Sequence, residues 1–358
     1  MTKNLDKSSI EHYLKDWLDY LVRCNEIDRR QLLENDEFYM PYAGAQPGVI
    51  RAVFIMSDQL NVEAQAKYLA VHLYDRYAGR RFMEIIRNAP ENEDSIEACI
   101  SKMTRLRENL AEQLVLDLAC CLQIASKVDL FRTGIGISQV KDLLSTIEPD
   151  EEYDSATILS SEKRILRTLD FRIPPCLGID AIELFLVYTK LDSTPRSKSH
   201  PQTHLHHQRN VRDLCLRLLD LAYLEHDVLF EHLHSLRHGK AYEKSWPQCR
   251  DFLAVLEASS VFIGASCVLA SSFFLDLERK LVAGLAKQLV KVVHCDPADL
   301  HFMANLIFTR VMDEKDMEEL RKECPPLRSS SGSRGGSRGG HGTGAGTAAS
   351  SSERSRAG

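Results

Sequence analysis

The chain has 358 residues, of which 44% are hydrophobic, so it is long enough for two domains and apolar enough to bury a core. Its formal net charge of −6 is uneven, because residues 328–358 hold five Arg and one Glu and leave a net charge of −10 on the rest. An acidic body argues against a broad nucleic-acid footprint on the folded part. Ten Cys without a CxxC pair argue against a zinc ribbon or a thioredoxin-like site.

Neither secretion nor membrane insertion is expected. The N-terminal residues contain no uninterrupted apolar segment of the kind found in signal peptides. The most apolar stretch, Val261 to Leu275, is shorter than the ~18–20 residues that a membrane span needs. Several Cys lie within apolar runs, where a reduced thiol packs as a small hydrophobic side chain, and this favours the cytosol or nucleus.

The first predicted helix covers residues 8–24. Ser8 and Glu11 have the spacing of a capping box. The apolar stripe consists of Ile10, Leu14, Trp17 and Leu21, and Tyr13 and Leu18 lie beside it. This apolar face either packs on its own domain or is offered to a partner, and periodicity alone leaves both alternatives open.

The rest of the chain also has helical periodicity, with no convincing strand or hairpin pattern. Residues 80–108 form an inserted charged loop with helical flanks, and residues 192–208 form a polar linker. Two predicted helices, 110–126 and 257–275, are apolar on nearly every side, which is typical of central helices. The other predicted helices are 49–58, 63–78, 156–169, 179–188, 210–236, 277–293 and 297–320. We therefore predict an all-α protein with two similar helical bundles in series.

The last 31 residues carry nine of the eighteen Gly and no large apolar side chain. Such a segment is expected to be disordered, since it has little to bury. Its SRGGSRGG run resembles an RGG segment, which makes sequence-tolerant contacts with RNA or DNA. A purely solubilising tail is the alternative.

No motif for catalysis stands out. The chain has no phosphate-binding loop, no HExxH and no GxSxG. His234 and His238 have the i,i+4 spacing that can bring two imidazoles to one helix face, but neither His cluster has a Cys or a carboxylate at ligand spacing to complete a metal site. We therefore expect no catalytic residue, no cofactor and no metal, and we expect that the protein is not an enzyme.

Lys127 and Glu162 form the most informative polar pattern. Glu162 lies on the apolar stripe of helix 156–169, where a carboxylate is costly unless it is paired or emerges at an interface. Lys127 ends the apolar helix 110–126, where the helix dipole favours a cation. The two residues are either an internal salt bridge or a polar anchor at the edge of an apolar binding surface.

Three segments resemble the cyclin box. Leu69-Ala70-Val71 followed by Asp75-Arg76 is similar to its "LAV…DRF" helix. Ala125-Ser126-Lys127 is similar to its "LASK" helix end, and Glu162 followed by Ile165, Leu166, Leu169 and Phe171 is similar to its "E…LxxLxF" helix. The order of the segments and the helix types agree. The chain thus resembles the cyclin family.

The resemblance implies a cyclin-like fold of two tandem five-helix bundles, the second degenerate, with an N-terminal helix and a disordered C-terminal tail. The implied domains are an N-terminal extension at 1–45, a cyclin box at 46–175 with the insertion at 80–108, a second box at 176–320 and the tail at 321–358. In cyclins the Lys and Glu at the positions of Lys127 and Glu162 bind a cyclin-dependent kinase. The neighbouring Val128 and Asp129 are expected to contribute.

Further segments, such as residues 57–59, 121–127 and 169–173, are similar to a meiotic subgroup of cyclin-like proteins. This resemblance implies a nuclear protein on meiotic chromosomes that works with recombination proteins to form crossovers. The alternative is a kinase-independent scaffold for recombination or chromatin proteins, with a weak nucleic-acid contact through the tail.

Overall fold

The structure, a computed structural model, describes residues 7–35, 41–87, 108–128, 134–191, 203–239, 253–275 and 279–312, together with residues 101, 104, 105 and 277. Twelve helices of eleven or more residues make up most of these ranges. They are α1 Lys7–Asn35, α2 Pro47–Gln59, α3 Ala64–Arg87, α4 Leu114–Val128, α5 Ile137–Ile147, α6 Ser155–Thr168, α7 Gly178–Thr189, α8 Thr203–Leu224, α9 His226–His238, α10 Ser260–Phe274, α11 Arg279–Val293 and α12 Pro297–Val311. The described residues contain no strand, so the all-α prediction is confirmed for them.

The two helices predicted to be central are central. In α4 every residue from Leu116 to Ser126 is buried, and α2, α3, α5 and α6 pack around it. In α10 every residue from Val261 to Ser272 is buried against α7, α8, α11 and α12. Each group is built in the same way because a helix apolar on all sides is stable only when neighbours cover every face.

A single apolar core runs through both groups, and the described helices form one compact unit. The predicted domain boundary at 175/176 falls between α6 and α7 and stays a prediction. Polar contacts tie the groups together, because Lys67 and Tyr68 on α3 both donate to the Asp220 carboxylate on α8, at 2.6 and 2.8 Å. The predicted tail at 321–358 and most of the insertion lie outside the described residues.

Three predicted helix boundaries were wrong. Helix α1 continues to Asn35, well beyond residue 24, because no Pro or Gly interrupts it and Glu26 pairs with Arg29 and Arg30 one turn later. Helix α8 begins at Thr203, inside the predicted linker 192–208, since Pro201 is the last breaker. The predicted helix 210–236 is two helices with a turn at Glu225.

Helix α1 carries a buried stripe and an exposed one. Leu18 and Leu21 are buried, and Leu14 packs against the same core, whereas Tyr13, Trp17 and Tyr20 are exposed. The grouping of Trp17 with Leu14 and Leu21 was therefore wrong, because the buried stripe passes through Leu18 instead. An ion pair between Asp28 and Arg76, 2.6 Å apart and buried, fixes α1 to α3.

Candidate functional site

Lys127 and Glu162 form an ion pair between α4 and α6, from Nζ of the lysine to Oε1 of the glutamate. The Glu162 side chain is 11% exposed, whereas that of Lys127 is 45% exposed. The pair therefore begins at the edge of the core and reaches solvent through the ammonium group. Both residues predicted from the sequence are brought together, and the lysine remains accessible to a second molecule.

The end of α4 is held in place by the segment that follows it. The backbone N–H of Ile135 donates to Ser126 Oγ at 2.9 Å, so the chain returns to the helix end. Gly134 lies against Lys127, where a Cβ atom would stand 3.1 Å from Lys127 Cγ. Any larger side chain at Gly134 would push on the lysine stem. The backbone thus restricts where the ammonium group can point.

Helix α6 holds Glu162 through its own cap and through the residues beside it. The Asp154 carboxylate accepts from the Thr157 N–H at 2.7 Å and caps the helix. Ile158 and Ile165, one turn on either side of Glu162, are buried. These contacts fix the helix rotation and place the carboxylate at the boundary of the core.

A second ion pair joins the same two helices deeper in the core. Arg164 on α6 donates to Asp117 on α4 at 2.6 Å, and also to the Tyr77 hydroxyl at 3.0 Å. Burial raises the pKa of Asp117, and the Arg164 guanidinium opposes this shift. The sequence patterns used above did not identify this pair.

Exposed apolar side chains lie close to the outer pair in the chain. Val128 follows Lys127 directly, and Leu159 lies one turn before Glu162 on the same helix face; both are exposed. Phe171, in the turn that closes α6, is also exposed and has a positive φ of 57°. Its backbone N–H donates to the Leu166 carbonyl oxygen at 2.8 Å, so this left-handed conformation belongs to the end of the helix.

Val128 also lines a groove of about 1040 Å³. Its apolar lining includes Trp17 and Tyr20 on α1, Ala125 on α4, and Ile173. Its charged lining consists of three acidic side chains and one basic side chain, namely Glu63, Asp180, Glu183 and Arg212. The sequence pattern missed this groove, because the side chains that line it come from segments far apart in the chain.

Asp129, the fourth predicted site residue, lies outside the described residues. Within the described ranges, no group of three His, Cys, Asp or Glu side chains is arranged to hold a metal ion. No described helix has both the length and the hydropathy required to cross a membrane.

Comparisons with known proteins find similar sequences and similar solved structures. No protein-family model matches the chain. The chain is 27% identical to cyclin N-terminal domain-containing protein 1 of mouse over 236 residues, which is 64% of this chain and 65% of the mouse protein. It is 28% identical to the human protein of the same name over 238 residues, 65% of this chain and 66% of the human protein. The match thus covers just under two thirds of the length of these relatives.

A viral cyclin from herpesvirus saimiri has a similar structure, with a TM-score of 0.46 and 11% sequence identity, over 80% of this chain and 96% of the viral chain. In sequence, the chain is thus similar to cyclin N-terminal domain-containing protein 1 of mouse and human over about two thirds of its length. The resemblance identified from the sequence motifs is thereby confirmed.

Proposed function

We propose that the chain is a non-catalytic adaptor that binds a cyclin-dependent kinase through the surface around Lys127 and Glu162. The observation that carries this proposal is the ion pair itself, which is anchored in the core at Glu162 and open to solvent at Lys127. A purely internal salt bridge would not need an exposed end. Its two residues, one near the end of α4 and one within α6, lie in the segments that resemble the cyclin box.

The surroundings of the pair suit a protein partner. Val128 and Leu159 are exposed next to it on α4 and α6, and Trp17 and Tyr20 line the same groove as Val128. Interfaces bury aromatic and aliphatic side chains at the centre and use a few charged residues as anchors. A stable kinase complex of this kind would bury on the order of 2,000 Å².

The proposed mechanism is allosteric. The surface would press on the regulatory helix of the kinase, so that the kinase's own Lys–Glu pair and its metal-binding Asp are correctly placed. Lys127 and Glu162 would hydrogen-bond with the partner once both surfaces are desolvated. The adaptor would thus change which kinase conformation is populated without contributing a catalytic group.

A charge swap tests this proposal. Lys127→Glu combined with Glu162→Lys keeps an ion pair between α4 and α6 but reverses the charges that a partner meets. We expect the swapped full-length chain to unfold near the wild-type temperature and to lose binding to purified cyclin-dependent kinases in calorimetric titrations, by at least ~30-fold for an anchor worth ~2 kcal/mol or more.

The matched control is the Glu225–Arg310 pair, whose side chains are each 40% exposed and which lies far along the chain from α4 and α6. The same swap there, Glu225→Lys with Arg310→Glu, should leave kinase binding unchanged. Kinase binding by the Lys127/Glu162 swap equal to that of wild type would show that the pair is structural only and would refute the proposal.

The sequence resemblance extends the proposal to the cellular location and the process in which the chain acts. The chain would act in the nucleus, on meiotic chromosomes, and would help recombination proteins to convert intermediates into crossovers. Affinity purification from meiotic tissue distinguishes this from the alternative of a kinase-independent scaffold that contacts nucleic acid weakly through its Arg/Gly tail. A kinase that dominates the eluate supports the adaptor, and recombination proteins recovered without a kinase support the scaffold.

A further inference from the structure

Helix α11 differs in charge from every other helix in the described part of the chain. Arg279, Lys280, Lys287 and Lys291 give it four cations, and it contains no Asp or Glu. The chain as a whole is acidic, with a net charge of −6. The other basic segment that the sequence analysis identified is the C-terminal tail. Helix α11 is therefore a local positive surface that the overall charge conceals.

The inner face of α11 is firmly attached to the body of the protein. Leu285, Ala286 and Leu289 are buried, and the helix packs against α10, α12, α1 and α7. Its rotation is thus set by apolar packing. The opposite face carries Lys280, Gly284, Lys287, Gln288 and Lys291, all of them exposed.

The three lysines form one row. They are separated by seven and four residues, so they lie along a single line on the helix surface. The row spans about 16 Å at 1.5 Å per residue. Gly284 lies between the first two lysines, and a Cβ atom built there would have no neighbour within 4 Å. The surface between the lysines is therefore low and open.

None of the four cations has an ion pair or side-chain hydrogen bond with any residue in the described ranges. Arg279 and Lys280 also lie in the first turn of α11, which contains no acidic residue. The helix dipole disfavours cations at this end, so the two residues cost stability in the free protein. Four cations held on a rigid helix, without an acidic partner among the described residues, form a surface complementary to a polyanion.

We propose that the Lys280–Lys287–Lys291 row binds the phosphate backbone of duplex nucleic acid. A duplex carries one negative charge per ~1.7 Å of its axis, a spacing much finer than that of the lysines, so their flexible side chains can each reach a phosphate. Lysine suits this task because its ammonium is a flexible point charge that does not require bidentate geometry. A flexible acidic peptide fits less well, because it would lose conformational entropy on alignment and the row itself offers no apolar anchor.

The row consists of other residues than the proposed kinase surface, since the Lys127–Glu162 pair lies on α4 and α6 and the row lies on α11. The inference therefore does not depend on the proposed function.

Fluorescence anisotropy with a short labelled DNA duplex tests the proposal on the full-length chain. The variant is Lys280→Gln with Lys287→Gln and Lys291→Gln. We expect the slope of log K against log[salt] to fall in magnitude by about 2.7, because each phosphate that the protein no longer neutralises lowers it by about 0.9.

The matched control removes the same number of positive charges from other helices. Arg51 on α2, Lys141 on α5 and Arg217 on α8 are all exposed, and the control variant replaces each of them with Gln. It has the same net charge as the lysine variant but keeps the row on α11. Its salt slope should differ from that of wild type by less than about 0.9, the value for one phosphate.

A second set of variants distinguishes the contribution of the lysine row to binding from that of the C-terminal tail. In a full-length chain whose five arginines in residues 328–358 are replaced by Ser, the lysine substitutions should still lower the slope by the same amount. An unchanged slope in the lysine variant, an equal fall in the control, or the absence of the effect in the tail background would overturn the proposal. Tighter binding of poly-glutamate than of the duplex at the same salt would also overturn it and would assign the row to an acidic protein segment instead.

Discussion

Asp117 and Arg164 join α4 and α6 with the opposite polarity to Lys127 and Glu162: in the buried pair the acid is on α4, and in the outer pair the base is on α4. The Asp117 side chain is 2% exposed, whereas Lys127 is 45% exposed. The acid of the inner pair is thus shielded from water, whereas the base of the outer pair is accessible to it. The two pairs are therefore expected to contribute differently to the free energy of unfolding.

The buried pair is expected to be important for stability. Arg164→Ala would leave the Asp117 carboxylate buried without its partner, and we expect the free energy of unfolding to fall by about 3–5 kcal/mol. Lys127→Ala, at the outer pair, should cost less, about 1–2 kcal/mol, because the Glu162 side chain that it leaves unpaired is 11% exposed and that of Asp117 only 2%. Urea unfolding followed by far-ultraviolet circular dichroism measures both. Equal losses would contradict this division between the two pairs.

The aromatic side chains that line the groove are expected to contribute to partner binding. Trp17 and Tyr20 are 62% and 65% exposed and line the same groove as Val128. Trp17→Ala with Tyr20→Ala should weaken kinase binding by ~30-fold or more, since aromatic anchors at an interface often contribute 2 kcal/mol or more. Tyr13→Ala is the control, because Tyr13 is also exposed on α1 but is not among the groove-lining residues. Calorimetric titration should show a loss for the first variant alone.

Two glycines on neighbouring helices should respond in opposite directions to the same substitution. A Cβ atom at Gly264 on α10 would stand 2.6 Å from Ala181 Cβ and 2.7 Å from the Gly178 carbonyl oxygen on α7. Gly264→Ala therefore forces the helices apart and should destabilise the protein by about 1–3 kcal/mol. Gly284→Ala meets only open space and should stabilise α11 by roughly 0.5–1 kcal/mol. Thermal unfolding that shifts in the same direction for both would refute this prediction.

His72 should make stability depend on pH. It lies between the two helical groups, with Nε2 2.7 Å from the Tyr223 hydroxyl. Burial lowers the pKa of His72 from its ordinary value of 6.5 to about 3, and the nearby Arg76 adds to this effect. The folded protein therefore keeps the ring neutral, whereas the unfolded chain takes up a proton below pH 6.5. The stability that the neutral ring provides is complete above pH 6.5 and is lost as the pH falls towards 3.

At pH 5 this loss amounts to about 2 kcal/mol, at 1.36 kcal/mol per pH unit. Urea unfolding at pH 7 and pH 5 should show it in the wild type. His72→Gln should be less stable at pH 7 but should lose about 2 kcal/mol less between the two pH values, since Gln does not titrate. A pH dependence equal to that of wild type would show that His72 is not the responsible group.

The sequence by itself determined that the chain is helical and which two helices are central. Helices α4 and α10 are apolar on all sides, and only a fully surrounded position is compatible with that composition. It also identified Lys127 and Glu162, because a carboxylate on an apolar stripe requires a partner and a helix end favours a cation. Helix ends were less predictable, as α1 and α8 show, since helix formers continue a helix until a breaker or a tertiary contact ends it.

Only the tertiary structure decided which polar and aromatic side chains meet. Asp117 and Arg164 are 47 residues apart, and no local pattern links them. The groove lined by Trp17 and Val128 and the open face of α11 likewise depend on how distant helices pack. The apolar periodicity of a segment indicates which of its faces is buried. Ion pairs and grooves, in contrast, depend on the distances between segments, and no single segment determines those distances.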